Sequence, residues 1–122
     1  MKRRVTSSLA AVVLLLAATV SVGSTAANAT TAALCDPPYY QNVSDGWAVV
    51  GGARNMKVAP YATCGNGALL ADKTFIYIWC FLENRDGYMW VYGRAANTEK
   101  RGWLRLNDFF SYSYGTTGLR YC

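Results

Sequence analysis

The chain has 122 residues, with 12 Lys and Arg against 7 Asp and Glu, 4 Cys, 4 Trp, 9 Tyr, 4 Phe and no His. This is enough for one small domain. The missing His excludes a Ser-His-Asp triad, a Cys-His dyad and a His-ligated zinc site, so neither an enzyme nor a metal protein is expected, and no cofactor motif is present.

Residues 1–29 read as a secretory signal peptide. Lys2, Arg3 and Arg4 form a basic start, residues 9–20 are apolar or small apart from Thr19, and Ala27-Asn28-Ala29 matches a signal-peptidase site. The apolar run is shorter than the ~20 residues of a membrane-spanning helix, so no membrane attachment is expected after cleavage. Cleavage after Ala29 removes three cations and lowers the formal charge from +5 to +2. Only Lys100-Arg101 remain as adjacent cations, too sparse for a phosphate-neutralising surface, and no nucleic-acid partner is expected.

Residues 30–45 form an N-terminal extension. Its first residues, 30–34, are small or polar and predict a disordered leader, and Asp36-Pro37-Pro38 sets an extended segment. β-rich runs then alternate with breaks. They cover residues 46–50, 55–58, 68–71, 74–82, 88–94 and 101–106, separated by Gly-, Asn-, Asp- or Pro-containing turns. No segment keeps a helical period, so the fold class is all-β, a small barrel or sandwich. Asp86-Gly87 is the strongest hairpin signal.

In the longest run a period of two places Ile76, Ile78 and Cys80 on one face and Phe75, Tyr77, Trp79 and Phe81 on the other. The first face reads as core. The aromatic face is either covered, by Tyr39-Tyr40 and the aromatic tail at residues 109–114, or open as a ligand platform. The next strand separates Met89 and Val91 from Tyr88, Trp90 and Tyr92, so the two aromatic sets meet across the hairpin. Gly46-Trp47, Gly87-Tyr88, Tyr92-Gly93 and Gly102-Trp103 read as barrel corners; the alternative is that Tyr61, Trp90 and Trp103 stack on sugar rings or peptide stems. Asp72, Glu83, Asp86, Glu99 and Asp108 all fall in predicted turns, which suits turn formation better than paired-carboxylate catalysis.

The four cysteines follow the predicted cleavage site, and an even number in an exported chain implies two disulfides. Three pairings are possible. Joining Cys35 to Cys122 would tie the two ends together and leave Cys64 to pair with Cys80, and this is the pairing expected.

Asn55-Met56-Lys57-Val58-Ala59-Pro60-Tyr61 resembles the N-V-R-x-G-P-S opening of bacterial SH3 (SH3b) domains. Ala68-Leu69-Leu70, the alternation Thr74, Ile76, Ile78, Cys80, then Gly87 with Trp90, Gly102-Trp103-Leu104 and Asp108-Phe109 follow in that family's order. A Cys ending the long strand is similar to exported actinobacterial members. Lys57, Ala59 and Tyr61 depart from the family's usual Arg, Gly and Ser. The resemblance implies an SH3-like barrel of about five to seven short strands over residues 46–110; the expected Cys35–Cys122 pairing makes residues 111–122 a C-terminal extension tied back by a disulfide. The resemblance also implies a non-catalytic targeting module that binds cell-wall glycan or peptide, or a protein; with the signal peptide, the expectation is a secreted, extracellular or wall-associated monomer. Tyr61, Trp79, Trp90, Tyr92 and Trp103 are the expected ligand-binding residues. The alternatives are a secreted protein-interaction factor, such as an inhibitor or competition protein, and a structural envelope component.

Overall fold

The computed structural model describes residues 33–122. The predicted signal peptide and the start of the leader lie outside the described residues. Ala33 and Leu34, expected to be disordered, are helical. Seven antiparallel strands follow: β1 (Trp47–Val50), β2 (Arg54–Lys57), β3 (Asn66–Leu70), β4 (Phe75–Glu83), β5 (Met89–Ala95), β6 (Arg101–Arg105) and β7 (Phe109–Ser113). A single 3-10 turn, Leu106–Asp108, precedes the last. They form one sheet in the order β3-β2-β6-β5-β4-β1-β7, and no ladder joins β3 to β7 among the described residues. The sheet is therefore open. Six strands lie near the runs bounded by turn residues; β7 emerges from the aromatic tail and crosses the expected boundary between residues 110 and 111.

β4 and β5 form the central hairpin. Gly87 supplies the positive φ, +81°, that its turn requires. The Asn84 side-chain oxygen Oδ1 accepts the N–H groups of Asp86 and Tyr88, both at 3.0 Å, and its Nδ2 donates to the Pro60 carbonyl at 2.8 Å. One nearly buried side chain thus shapes the turn and fastens the loop after β2 to it.

The interior cluster collects Ala48 and Val50 from β1, Met56 from β2, Leu70 from β3, Ile76, Ile78 and Phe81 from β4, Val91 and Ala95 from β5, and Leu104 from β6. Six strands reach one cluster because the sheet curls over it, as twisted strands do. The opposite face carries a second buried cluster of Cys80, Trp90, Tyr92 and Trp103.

A bulge in β4 corrects the expected faces. Ile78 opposes Gly93, whereas Cys80 opposes Tyr92, so the register slips by one residue at Trp79. Phe81 consequently joins Ile76 and Ile78 in the core, and Cys80 moves to the aromatic side.

The same slip bears on the disulfides. They are Cys35–Cys64, with Cα atoms 5.3 Å apart, and Cys80–Cys122, at 5.0 Å, not Cys64–Cys80 and Cys35–Cys122. β5 and β6 separate β4 from β2, beside which the Cys64 loop lies. Three strand spacings are about 14 Å, well beyond the ~7 Å that a disulfide tolerates. The chain end instead runs along β4: the Phe81 N–H donates to the Arg120 carbonyl and the Cys122 N–H to the Phe81 carbonyl, both at 2.8 Å, which brings Cys122 beside Cys80. Two disulfides suit an oxidising, extracellular environment. No helix among the described residues is long and apolar enough to cross a membrane.

Candidate functional site

The outer face of β4, β5 and β6 gathers Trp79, Tyr92 and Trp103, three of the five expected site residues. The bulge leaves Trp79 half-buried over the second cluster. Tyr92 stands 5.7 Å from Trp79 and 5.3 Å from Trp103 between ring centroids. Tyr40, from the N-terminal extension, stacks on Tyr92 at 3.7 Å with the rings 17° apart.

The extension reaches this place because it is fastened at both ends. Cys35 is bonded to Cys64, and the N–H groups of Val43 and Ser44 both donate to the Trp79 carbonyl, at 3.0 and 2.9 Å. Burial raises the Tyr92 phenol to about 12, and its hydrogen bond with Tyr40 adds to the shift. The phenol stays protonated at neutral pH.

The strap divides the face into two grooves. One, of about 490 Å³, is bordered by Asn42, Ser44, Asp45, Tyr77, Trp79 and Arg94. The other, of about 280 Å³, lies among Tyr40, Lys57, Tyr92, Arg101 and Trp103. Arg94 and Arg101 are cross-strand partners, and their guanidinium carbons lie 5.7 Å from the Tyr77 ring and 5.6 Å from the Trp79 ring. Cations therefore alternate with aromatic rings along the surface.

Asp45 is the acid in the larger groove, and its carboxylate is already engaged. It accepts the Thr117 N–H at 2.9 Å and the Thr117 hydroxyl at 2.8 Å, as well as the Thr116 hydroxyl. These bonds, with that of the Thr116 hydroxyl foremost, hold its pKa well below the usual carboxylate range. Asp45 thus holds the turn after β7 and is poorly suited to take a proton from a ligand.

Of the other two expected residues, Trp90 belongs to the same buried cluster and only Tyr61 lies apart. Trp90 is 3% exposed and, like Trp103 at 1%, presents no open ring face to solvent. Tyr61 lies near the hairpin turn, where its hydroxyl accepts the Arg85 N–H at 3.1 Å and its ring borders a separate pocket of about 210 Å³ with Pro38, Pro60 and Asn84. The aromatic face is covered in one part and exposed in another. Tyr40 covers Tyr92, while Trp47, Phe75 and Tyr77 remain 37%, 38% and 46% exposed. The tail does not cover these three; Tyr114 packs instead on Phe81, at 5.2 Å.

Arg94 and Arg101 were not among the expected site residues. They are one antiparallel register step outside the loop that joins β5 to β6, and that pairing is the signal that would have placed them together. No family model, no curated protein and no solved structure matches the chain.

Proposed function

We propose that this protein is a secreted, non-catalytic binding module with an SH3b-like barrel, docking on the cell envelope through its outer aromatic face, with peptidoglycan glycan or peptide as the ligand. The observation that carries the reading is the groove in which Tyr77 and Trp79 offer ring surface beside Arg94, with Asn42 and Ser44 as hydrogen-bonding neighbours. Rings suit the apolar faces of sugars, and a guanidinium pairs with the carboxylates of wall peptides. The ordered SH3b-like motifs and the two disulfides support the same reading.

Co-sedimentation of the oxidised protein with insoluble peptidoglycan at moderate salt tests it. The parent pellets, and folded Tyr77→Ala and Arg94→Ala variants each bind about tenfold more weakly, as expected for surface anchors. A parent that stays in the supernatant, or variants that pellet as well as the parent, would overturn the wall reading and direct the search to a protein partner.

A further inference from the structure

β7 is one edge of the sheet, and among the described residues it pairs with β1 alone. An edge strand presents a row of backbone donors and acceptors to whatever strand can match it. Edges are ordinarily blunted by charge, proline or cover. Between Asp108 and Arg120 the chain has no charged residue and no proline, and the charge at this edge is the Lys73 ammonium, 3.4 Å from the Phe110 ring centroid. Both edges carry an irregularity, between Asn55 and Lys57 in the β2–β3 ladder and between Val49 and Val50 in the β1–β7 ladder, where Phe110 is the extra residue; at β3 the Lys57 ammonium is also bonded to Asn66.

The β7 edge also has a pattern that reads the same in both directions. From Phe110 to Tyr114 the residues are Phe-Ser-Tyr-Ser-Tyr, aromatic and serine in alternation about Tyr112. Phe110, Tyr112 and Tyr114 are 70%, 43% and 38% exposed, whereas Ser111 and Ser113 are half-buried. Ser111 opposes Val49, Ser113 opposes Trp47 and Tyr112 opposes Ala48, so the tyrosine lies on the same side as the interior face and the serines on the other.

We infer that β7 pairs antiparallel with β7 of a second copy of this chain, across a two-fold axis at Tyr112. In that register Tyr112 meets its own counterpart, Phe110 meets Tyr114 and Ser111 meets Ser113. Every exposed aromatic residue gains an aromatic cross-strand partner and every serine gains a serine; the charge at the edge, the Lys73 ammonium over Phe110, is brought to the tyrosine that meets Phe110 and not to another cation. A different protein would satisfy the open backbone edge equally well, but the palindrome singles out a second copy. The pairing leaves the outer-face grooves free, so it stands independently of the wall-binding proposal.

Sedimentation velocity of the purified oxidised protein over a concentration series, with no wall material present, tests the pairing. The parent shows a concentration-dependent monomer–dimer equilibrium. Tyr112→Lys places two ammonium groups at the axis and raises the dissociation constant by at least about tenfold. An equimolar mixture of Tyr112→Lys and Tyr112→Glu dimerises again, as neither variant does alone; this recovery separates pairing at β7 from damage to the fold. A parent that is monomeric at every concentration, or a dimer that persists undiminished in Tyr112→Lys, would overturn the inference.

Discussion

Asp45 shows how one side chain holds a chain end. Its carboxylate collects Thr116 and Thr117 against the start of β1, and Gly115 makes the approach possible. A Cβ on Gly115 would lie 2.7 Å from the Asp45 carbonyl oxygen, and its φ of +70° disfavours any side chain. Because the folded protein lowers the pKa of Asp45 below its ordinary value of 3.8, the carboxylate contributes stability above that pH. The contribution is lost as the pH falls from there toward the folded value. Thermal unfolding of the parent and Asp45→Asn should therefore show the parent more stable at neutral pH, with the gap narrowing below pH ~4. A gap that is unchanged down to pH ~2 would show that the charge is not what holds the turn.

At the scale of elements, the bulge in β4 organises both faces. A side-chain period of two cannot survive a one-residue slip, so everything beyond Trp79 changes sides. Phe81 enters the core, and Cys80 meets Trp90, Tyr92 and Trp103 in the second cluster. Trp90 is thus an interior residue that ties β5 into this cluster. Trp90→Ala should destabilise the protein by about 3–5 kcal/mol, as other large-to-small core changes do. Urea unfolding measures this as a lower midpoint; a midpoint close to the parent's would mean that the ring is dispensable to the packing. The strand alternation was legible through residues 75–78, where no backbone irregularity intervenes. It failed beyond, because a bulge is a property of the pair of strands and leaves no mark in one of them.

For the whole molecule, the disulfides anchor each extension to a different part of the sheet. Cys35–Cys64 holds the strap that carries Tyr40, and Cys80–Cys122 holds the C-terminal segment against Phe81. Loop entropy over separations of 29 and 42 residues corresponds to roughly 3.5–4 kcal/mol for each bond. Replacing Cys35 and Cys64 together by Ser should cost about 3.5 kcal/mol and free the strap. Trp emission would then shift to longer wavelength as Tyr40 leaves Trp79 and Tyr92. Peptide mapping without reduction should recover residue 35 linked to 64 and residue 80 linked to 122. Fragments joining 64 to 80 would contradict the strand order itself.

The amino-acid sequence alone determined the all-β class, six of the seven strand positions, the Asp86-Gly87 hairpin and the presence of disulfides. Each rests on local chemistry: β-branched and aromatic runs, turn residues, and an even number of cysteines. Tertiary structure decided the rest. The cystine pairing depended on strand order, which puts two strands between β4 and β2, beside which the Cys64 loop lies. The exposure of the aromatic residues depended on where the strap lies, because Tyr40 covers Tyr92 while Tyr77 stays open. Trp90 and Tyr77 both lie in aromatic-rich strands, yet one is buried and the other is not. What covers a residue is set by segments distant in the chain, and no local pattern encodes that distance.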